Sequence, residues 1–240
     1  MSLALHTRFL HVLAALAVGS CGPVRHQDRM CQADKLMGSD ERDLAALERY
    51  FPDGFPSQMQ PDNCGVERPR LSTAETEWYP SQWSAACEPP LEDAATSETS
   101  SQFTFRFSYL PSFDSPIFMR LESHDNGHIL IVKQMTGSGG YDPGIISRSK
   151  EIELTEDEVA AIHESIVGIL EARDESIATS RQEGPKDTCF FTFDGTQWVL
   201  ETVQDGQYDL IQDNTPREGP LFDLGLMLLT KTGWKDVPEM

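Results

Sequence analysis

The stretch TGSGGYDPG, residues 136–144, holds the densest group of chemically useful residues in this 240-residue chain. Ser138 is a possible nucleophile, but a nucleophile needs a base that a third group holds in place, and the sequence shows no such set. A phosphate-binding loop would open a helix and carry a lysine within the motif. Here Lys133 lies upstream and an extended segment follows. The stretch therefore predicts no catalytic residue.

Two interpretations of this stretch remain open. It is either a structural turn with positive φ at some glycines, or a loop that contacts a ligand. A ligand loop would expose backbone N–H groups that bind a carboxylate or another anion. Tyr141 and Asp142 would then add hydrogen bonds, and Arg148 would add a counter-charge. The candidate ligand-binding residues are Gly137, Ser138, Gly139, Gly140, Tyr141, Asp142 and Arg148.

The HDNGH segment, residues 124–128, contains two histidines that suggest a metal pair. A two-residue hairpin turn at Asn126-Gly127 would instead place His124 and His128 on opposite faces of a sheet. Zinc also requires a third and a fourth ligand. The sequence therefore predicts no metal site, and it suggests no cofactor.

Residues 1–20 predict a secretory signal peptide, with Arg8 as the single charge before an apolar stretch. That stretch is too short to span a bilayer, which takes about 20 apolar residues. It ends in the run Val18-Gly19-Ser20-Cys21, which resembles the lipobox of bacterial lipoproteins. The resemblance implies that Cys21 becomes the first residue and carries acyl chains such as palmitate. Ordinary cleavage near Ser20 is the alternative.

Lipidation at Cys21 predicts a protein of the bacterial cell envelope, anchored to the membrane through its lipid and facing the periplasm or the exterior. Gly22, where an aspartate would signal retention, favours the outer membrane. An exported chain with four further cysteines predicts two disulfides among three possible pairings. We favour Cys31–Cys64 and Cys87–Cys189, which would tie the N-terminal helices to the sheet.

The formal net charge of −20, from 39 acidic and 19 basic residues, argues against nucleic-acid binding. A basic protein partner would suit this charge. The alternative is that the charge serves solubility alone.

We expect a tether over residues 21–38 and a single domain over residues 39–240. Residues 39–100 form its helical N-terminal part, with one short helix over residues 39–52 and a second, interrupted by Pro80, over residues 72–87. Residues 101–234 hold the sheet and two more helices.

Apolar alternation predicts the strands, and FTFRFSYL from residue 103 is typical of a half-buried strand. Asp194-Gly195 and Asp205-Gly206 predict tight turns in a three-stranded meander. Thr155 and Glu158 predict a capping box at the start of a helix. The remaining predicted segments are the strands IFMRLES, GHILIVKQM, CFFTF, TQWVLETV and QYDLIQ and the helix PLFDLGLMLL. This order predicts an α+β fold with a two-layer antiparallel sheet of about six strands, helices packed on one face and a helical N-terminal segment.

The segments GSGGYDPG, DGTQWVLE, GQY and GPLFDLGLMLL together resemble a family of uncharacterised bacterial proteins with GxGGYxPG and DGxxWxxE…GxY motifs. The resemblance covers residues 72–234 and implies a single domain without implying a reaction.

These observations favour a lipid-anchored envelope protein that binds a partner without catalysis. One alternative is an inhibitor or immunity-type protein that acts on a basic envelope enzyme. The other is a hydrolase that uses the loop of residues 137–144. A cleft with a shifted carboxylate would favour the hydrolase, whereas exposed aromatic side chains on an acidic surface would favour the binding protein or the inhibitor.

Overall fold

The architecture is known from a computed structural model, which describes residues 28–29, 31–32, 49–62, 64–95, 103–124, 126–186, 188 and 194–235. The first predicted helix, over residues 39–52, falls mostly outside these residues. So do the predicted signal peptide, the lipidation site and the strand CFFTF.

Alternating apolar residues form the six strands of the main sheet, which is antiparallel throughout with the order β6-β5-β4-β3-β7-β8. The strands are β3 (Phe103–Pro111), β4 (Ile117–His124), β5 (Gly127–Met135), β6 (Ile146–Leu154), β7 (Thr196–Gln204) and β8 (Gln207–Asn214). A separate hairpin pairs β1 (Met59–Pro61) with β2 (Glu67–Pro69). Strand β6, which follows the glycine-rich stretch, is the one member of this sheet that was not among the predicted strands.

Two long helices cover the first face of this sheet. They are α3 (Glu156–Glu183) and α4 (Pro220–Lys231). The capping box of Thr155 and Glu158 is confirmed at the start of α3. Buried isoleucines of α3 and leucines of α4 pack on Phe105, Phe107 and Trp198 of the sheet. The α+β class and the six antiparallel strands are therefore confirmed.

The N-terminal part of the chain covers the second face. It includes α1 (Thr73–Ala85), the short α2 (Leu91–Ala95) and the residues around Phe51 and Phe55. Tyr79 and Trp83 of α1 are fully buried in this second apolar cluster. The sheet therefore lies between two covering layers, whereas the sequence predicted a two-layer domain with helices on one face.

Two local predictions, one in α1 and one in the turn between β4 and β5, were wrong. Pro80 does not interrupt α1, which continues through it from a capping box of Ser72 and Glu75. The β4–β5 turn begins one residue earlier than expected, because Gly127 pairs with His124 as part of β5. The predicted Asp205-Gly206 turn is confirmed, with φ of 50° and 74° at its two residues.

The second face of the sheet carries buried charges. Arg106 of β3 lies opposite Arg120 of β4 on one side and Glu201 of β7 on the other. The Arg106 guanidinium donates two hydrogen bonds, of 2.6 and 2.7 Å, to the Glu201 carboxylate, and both side chains are fully buried. A third cation, Lys133 of β5, is also buried on this face. Each of these charges needs a partner because burying an unpaired charge is strongly unfavourable.

Arg120 and Lys133 share one partner from the segment between α1 and α2. Glu88 forms ion pairs of 2.6 Å with Arg120 and 2.8 Å with Lys133. Burial alone would raise the pKa of the Glu88 carboxyl, but Arg120, Lys133 and Arg106 lower it to about 2. The carbonyls of three neighbouring residues accept further bonds from Lys133 and Arg106; these residues are Ala86, Cys87 and Pro89. The charges of the sheet therefore fix the position of this segment.

A disulfide joins this segment to the chain around residue 31. Cys87 pairs with Cys31, so the expected pairings Cys31–Cys64 and Cys87–Cys189 were wrong. Spacing in the sequence could not reveal this, because the contacts that bring the two cysteines together are made by Asp28 and Glu88, which both bind Lys133.

We predict that Glu201→Gln lowers the free energy of unfolding by about 3–5 kcal/mol, because it leaves the Arg106 charge buried without a compensating carboxylate. Urea unfolding measures the difference. The matched control is Glu67→Gln, which removes the exposed ion pair between Glu67 and Arg181 at 2.9 Å. That change should lower stability by less than about 1 kcal/mol. Equal effects of the two substitutions would contradict this account of the second face.

We also predict a disulfide between Cys64 and Cys189. Cys64 is disulfide-bonded, and its carbonyl accepts a 2.9 Å hydrogen bond from the N–H of Lys186. Cys189 follows Lys186 by three residues and lies outside the described residues. Peptide mapping of the non-reduced protein should recover a peptide pair that contains these two cysteines. A pair between Cys64 and Cys21 would refute both this pairing and lipidation.

Candidate functional site

Several loops meet at one end of the sheet. The β3–β4 connection contains Phe113, the β5–β6 connection contains the TGSGGYDPG stretch, and Gly195 leads into β7. Ser112 ties the first loop to the third, since its N–H and its hydroxyl both donate to the carbonyl of Gly195 at 2.8 and 2.9 Å. The Gly139 N–H joins the first two loops by donating to the Asp114 carbonyl at 3.2 Å.

Most backbone N–H groups of the glycine-rich loop donate to acceptors within the protein. Gly137 and Ser138 donate at 2.9 Å to the carbonyls of Pro143 and Asp142. Gly144 donates at 2.8 Å to the Asp142 carboxylate. The Gly139 N–H donates to the neighbouring loop, so acceptors within the protein occupy all four of these N–H groups. The side chain of Asp142 stabilises the turn.

Close approach of the backbone explains the glycines at positions 139 and 140. A Cβ at Gly139 would lie 2.7 Å from the carbonyl carbon of Leu110, and one at Gly140 would lie 2.9 Å from the carbonyl oxygen of Ser112. Both residues have ordinary φ, so lack of space for a side chain, and not a positive φ, accounts for glycine at these two positions. Within the loop, only Gly144 has a positive φ, of 71°.

Helix α1 supports the loop from the second face of the sheet. The Trp78 indole N–H donates to the Gly139 carbonyl at 2.9 Å, and the Gln82 amide donates to the Tyr141 carbonyl at 3.2 Å. Trp78 and Gln82 are four residues apart, so they lie on the same side of the helix. The loop is therefore held by α1, by the end of β3 and by its own hydrogen bonds.

An exposed aromatic pair lies on this rigid base. The rings of Phe113 and Tyr141 have centroids 6.1 Å apart and are tilted by 35°. Their exposed fractions are 67% and 68%, the two largest among the exposed large apolar side chains of the described residues. The sequence analysis named Tyr141 but missed Phe113. The only signal for Phe113 was its position in the turn-forming stretch Ser112-Phe113-Asp114-Ser115. We call these two residues the aromatic patch.

Three carboxylates lie around the aromatic patch: Asp114 follows Phe113, Asp142 follows Tyr141, and Asp194 lines a cavity together with Tyr141. All three side chains are exposed, and none forms an ion pair within the part of the chain that the structure describes. The surroundings of the patch are therefore acidic. Arg148 does not offset them, because its guanidinium lies 4.0 Å from the Trp234 ring and donates to Gln134.

Among the described residues, no histidine lies at this end of the sheet, near Ser138. The histidines that the structure describes are His124 and His128, at the β4–β5 turn, and His163, which packs on Phe103. All of them lie at the opposite end of the sheet from Ser138, so no described histidine can act as its base. Across the described residues, no group of three or more histidine, cysteine, aspartate or glutamate side chains is arranged to hold a metal ion.

A cavity of about 780 Å³, larger than the one lined by Asp194 and Tyr141, lies beside the β1–β2 hairpin. Its charged groups already bind one another: Arg68 contacts Asp62 at 2.6 Å, and Arg70 contacts Asp209. Glu75 accepts hydrogen bonds from the start of α1 and from Gln212. The charged groups of this cavity are therefore paired within the protein, unlike the carboxylates around the aromatic patch.

Comparison of the chain with protein families, with curated proteins and with solved structures finds no match. The resemblance of the motifs to a bacterial family therefore stays a prediction. Among the described helices, none has the length and apolar character needed to cross a bilayer.

We predict that Gly139→Ala lowers the free energy of unfolding by about 1–3 kcal/mol, because the added methyl group meets the backbone of β3. The control is Gly168→Ala in α3, where a Cβ would have no neighbour within 4 Å. That change should stabilise the protein by up to about 1 kcal/mol through helix propensity. Thermal and urea unfolding measure both effects. A neutral Gly139→Ala variant would show that the loop does not pack as described.

Proposed function

We propose that this protein is an exported, lipid-anchored binding module of the bacterial cell envelope, and that it contacts a basic protein partner through the aromatic patch without performing catalysis. The observation that carries the proposal is the pair of exposed rings on two neighbouring loops that hydrogen bonds hold together. Exposed aromatic side chains are enriched in protein interfaces, and a rigid platform lowers the entropy lost on binding.

Charge supports a basic partner. The unpaired carboxylates around the patch add to a chain with a formal net charge of −20. Such a surface attracts a basic protein and accelerates its association. Where the partner is an enzyme, covering its surface would inhibit it, so the inhibitor interpretation is one form of this proposal. No observation favours the hydrolase alternative.

The disulfide between Cys31 and Cys87 supports export, because disulfides persist in oxidising compartments such as the bacterial periplasm. Residues 1–20 supply a signal peptide and Cys21 supplies the attachment point. The lipid would hold the domain at the membrane, and the segment from Cys21 toward Asp28 would connect the anchor to the folded part.

We predict that Cys21 carries the lipid. Cells that are fed a fatty-acid analogue should label the wild-type protein and not the Cys21→Ser variant. The variant should also leave the membrane fraction, because it has lost the acyl chains that supply most of the membrane affinity. Equal labelling of the two proteins would refute lipidation at this residue and would leave the patch proposal unaffected.

We also predict that the double variant Phe113→Ser, Tyr141→Ser loses a basic envelope protein that the wild type retains in affinity capture at moderate salt. Both side chains are about two-thirds exposed, so the melting temperature should change little. Mass spectrometry identifies the retained proteins. The matched control is Met59→Ser, which removes an apolar side chain that is 53% exposed on β1.

The control should capture the same partner as the wild type. If the patch variant and the wild type retain the same proteins in equal amounts, the patch is not the interface. A retained protein that is acidic would contradict the proposed role of charge.

A further inference from the structure

Next to the aromatic patch lies a cavity of about 310 Å³ that opens between the loops. Two aromatic side chains, Trp78 and Tyr141, contribute to its lining together with Leu110. The polar part of the lining includes Asp194 and Asn214. The volume is at the lower end for small-molecule pockets, which are roughly 300–1,000 Å³, and this size fits one long side chain better than a whole cofactor.

We infer that this cavity is a subsite for a single arginine side chain of the partner. The inference rests on the proposed function and gives the chemistry of the contact. Asp194 supplies a carboxylate that has no ion-pair partner among the described residues, and Tyr141 and Trp78 supply aromatic surface beside it. A planar guanidinium can pair with a carboxylate and stack on an aromatic ring at the same time, whereas the compact, strongly hydrated ammonium of lysine suits this combination less well.

The walls of the cavity are fixed before any ligand binds. Gly195 donates to the Ser112 hydroxyl at 3.2 Å, and the carbonyl of Gly195 accepts bonds from Ser112 in return. On the other wall, Thr215 follows Asn214 with a φ of 55°, which is unusual for a β-branched residue. Its hydroxyl accepts from the Thr196 N–H at 3.0 Å and donates to Asn214 at 2.9 Å. A cavity built in this way needs little rearrangement to receive a side chain.

The smallest test uses the tripeptide acetyl-Gly-Arg-Gly-amide and its citrulline analogue, which has nearly the same shape without the charge. Each peptide is titrated into ¹⁵N-labelled protein while the backbone amides of Gly140, Tyr141 and Gly195 are followed by NMR. The arginine peptide should shift these signals saturably, and the citrulline peptide should shift them far less.

Two matched variants locate the charge that is responsible. Asp194→Asn should weaken binding of the arginine peptide about fivefold, since it removes a charged partner and keeps the shape. Asp205→Asn makes the same change in an exposed turn at the opposite end of the sheet and should bind the peptide as the wild type does.

Equal binding of the arginine and citrulline peptides would overturn the inference, as would wild-type affinity in Asp194→Asn or tighter binding of a lysine peptide. The outcome is separable from that of the proposed function. If the arginine subsite is wrong but the patch is the interface, Asp194→Asn will retain the envelope partner that the double patch variant loses.

Discussion

The buried ion pairs on the second face of the sheet constrain the rest of the structure. Arg106, Arg120 and Lys133 come from three adjacent strands and lie under a covering layer, where an unpaired charge would be strongly destabilising. Glu201 neutralises one of them from within the sheet, and Glu88 must come from outside it. The segment that ends α1 is therefore pinned to the sheet, and the disulfide at Cys87 holds it from the other side.

This constraint extends to the candidate site through α1. Because the C-terminal end of α1 is fixed over the buried charges, Trp78 and Gln82 are held against the backbone of the glycine-rich loop. The loop in turn holds Tyr141 beside Phe113 in solvent. The exposed rings are thus supported by a continuous series of hydrogen bonds and ion pairs. A surface prepared in this way binds with a smaller loss of conformational entropy than a mobile loop.

The sequence predicts much of the fold, because alternating apolar residues, the Thr155 capping box and the Asp205-Gly206 turn are local signals. Prediction from the sequence fails where polar residues are buried. Polar residues alternate with aromatic ones in β3, which indicates a half-buried strand, yet every residue of this strand is buried. Arg106 could be placed inside only by knowing that Glu201 lies opposite. The loop glycines were recognised from the sequence, but the contact with the β3 backbone that requires them joins segments distant in the chain.

Site-specific photo-crosslinking tests the central claim most directly, because it reports which residues touch the partner. A benzophenone amino acid is placed at position 113, at position 141 or at position 226, where Leu226 is 40% exposed on α4. Irradiation of living cells should give a covalent adduct with one basic envelope protein from positions 113 and 141 and none from position 226. No adduct from either patch position, or the same adduct from all three, would contradict the account.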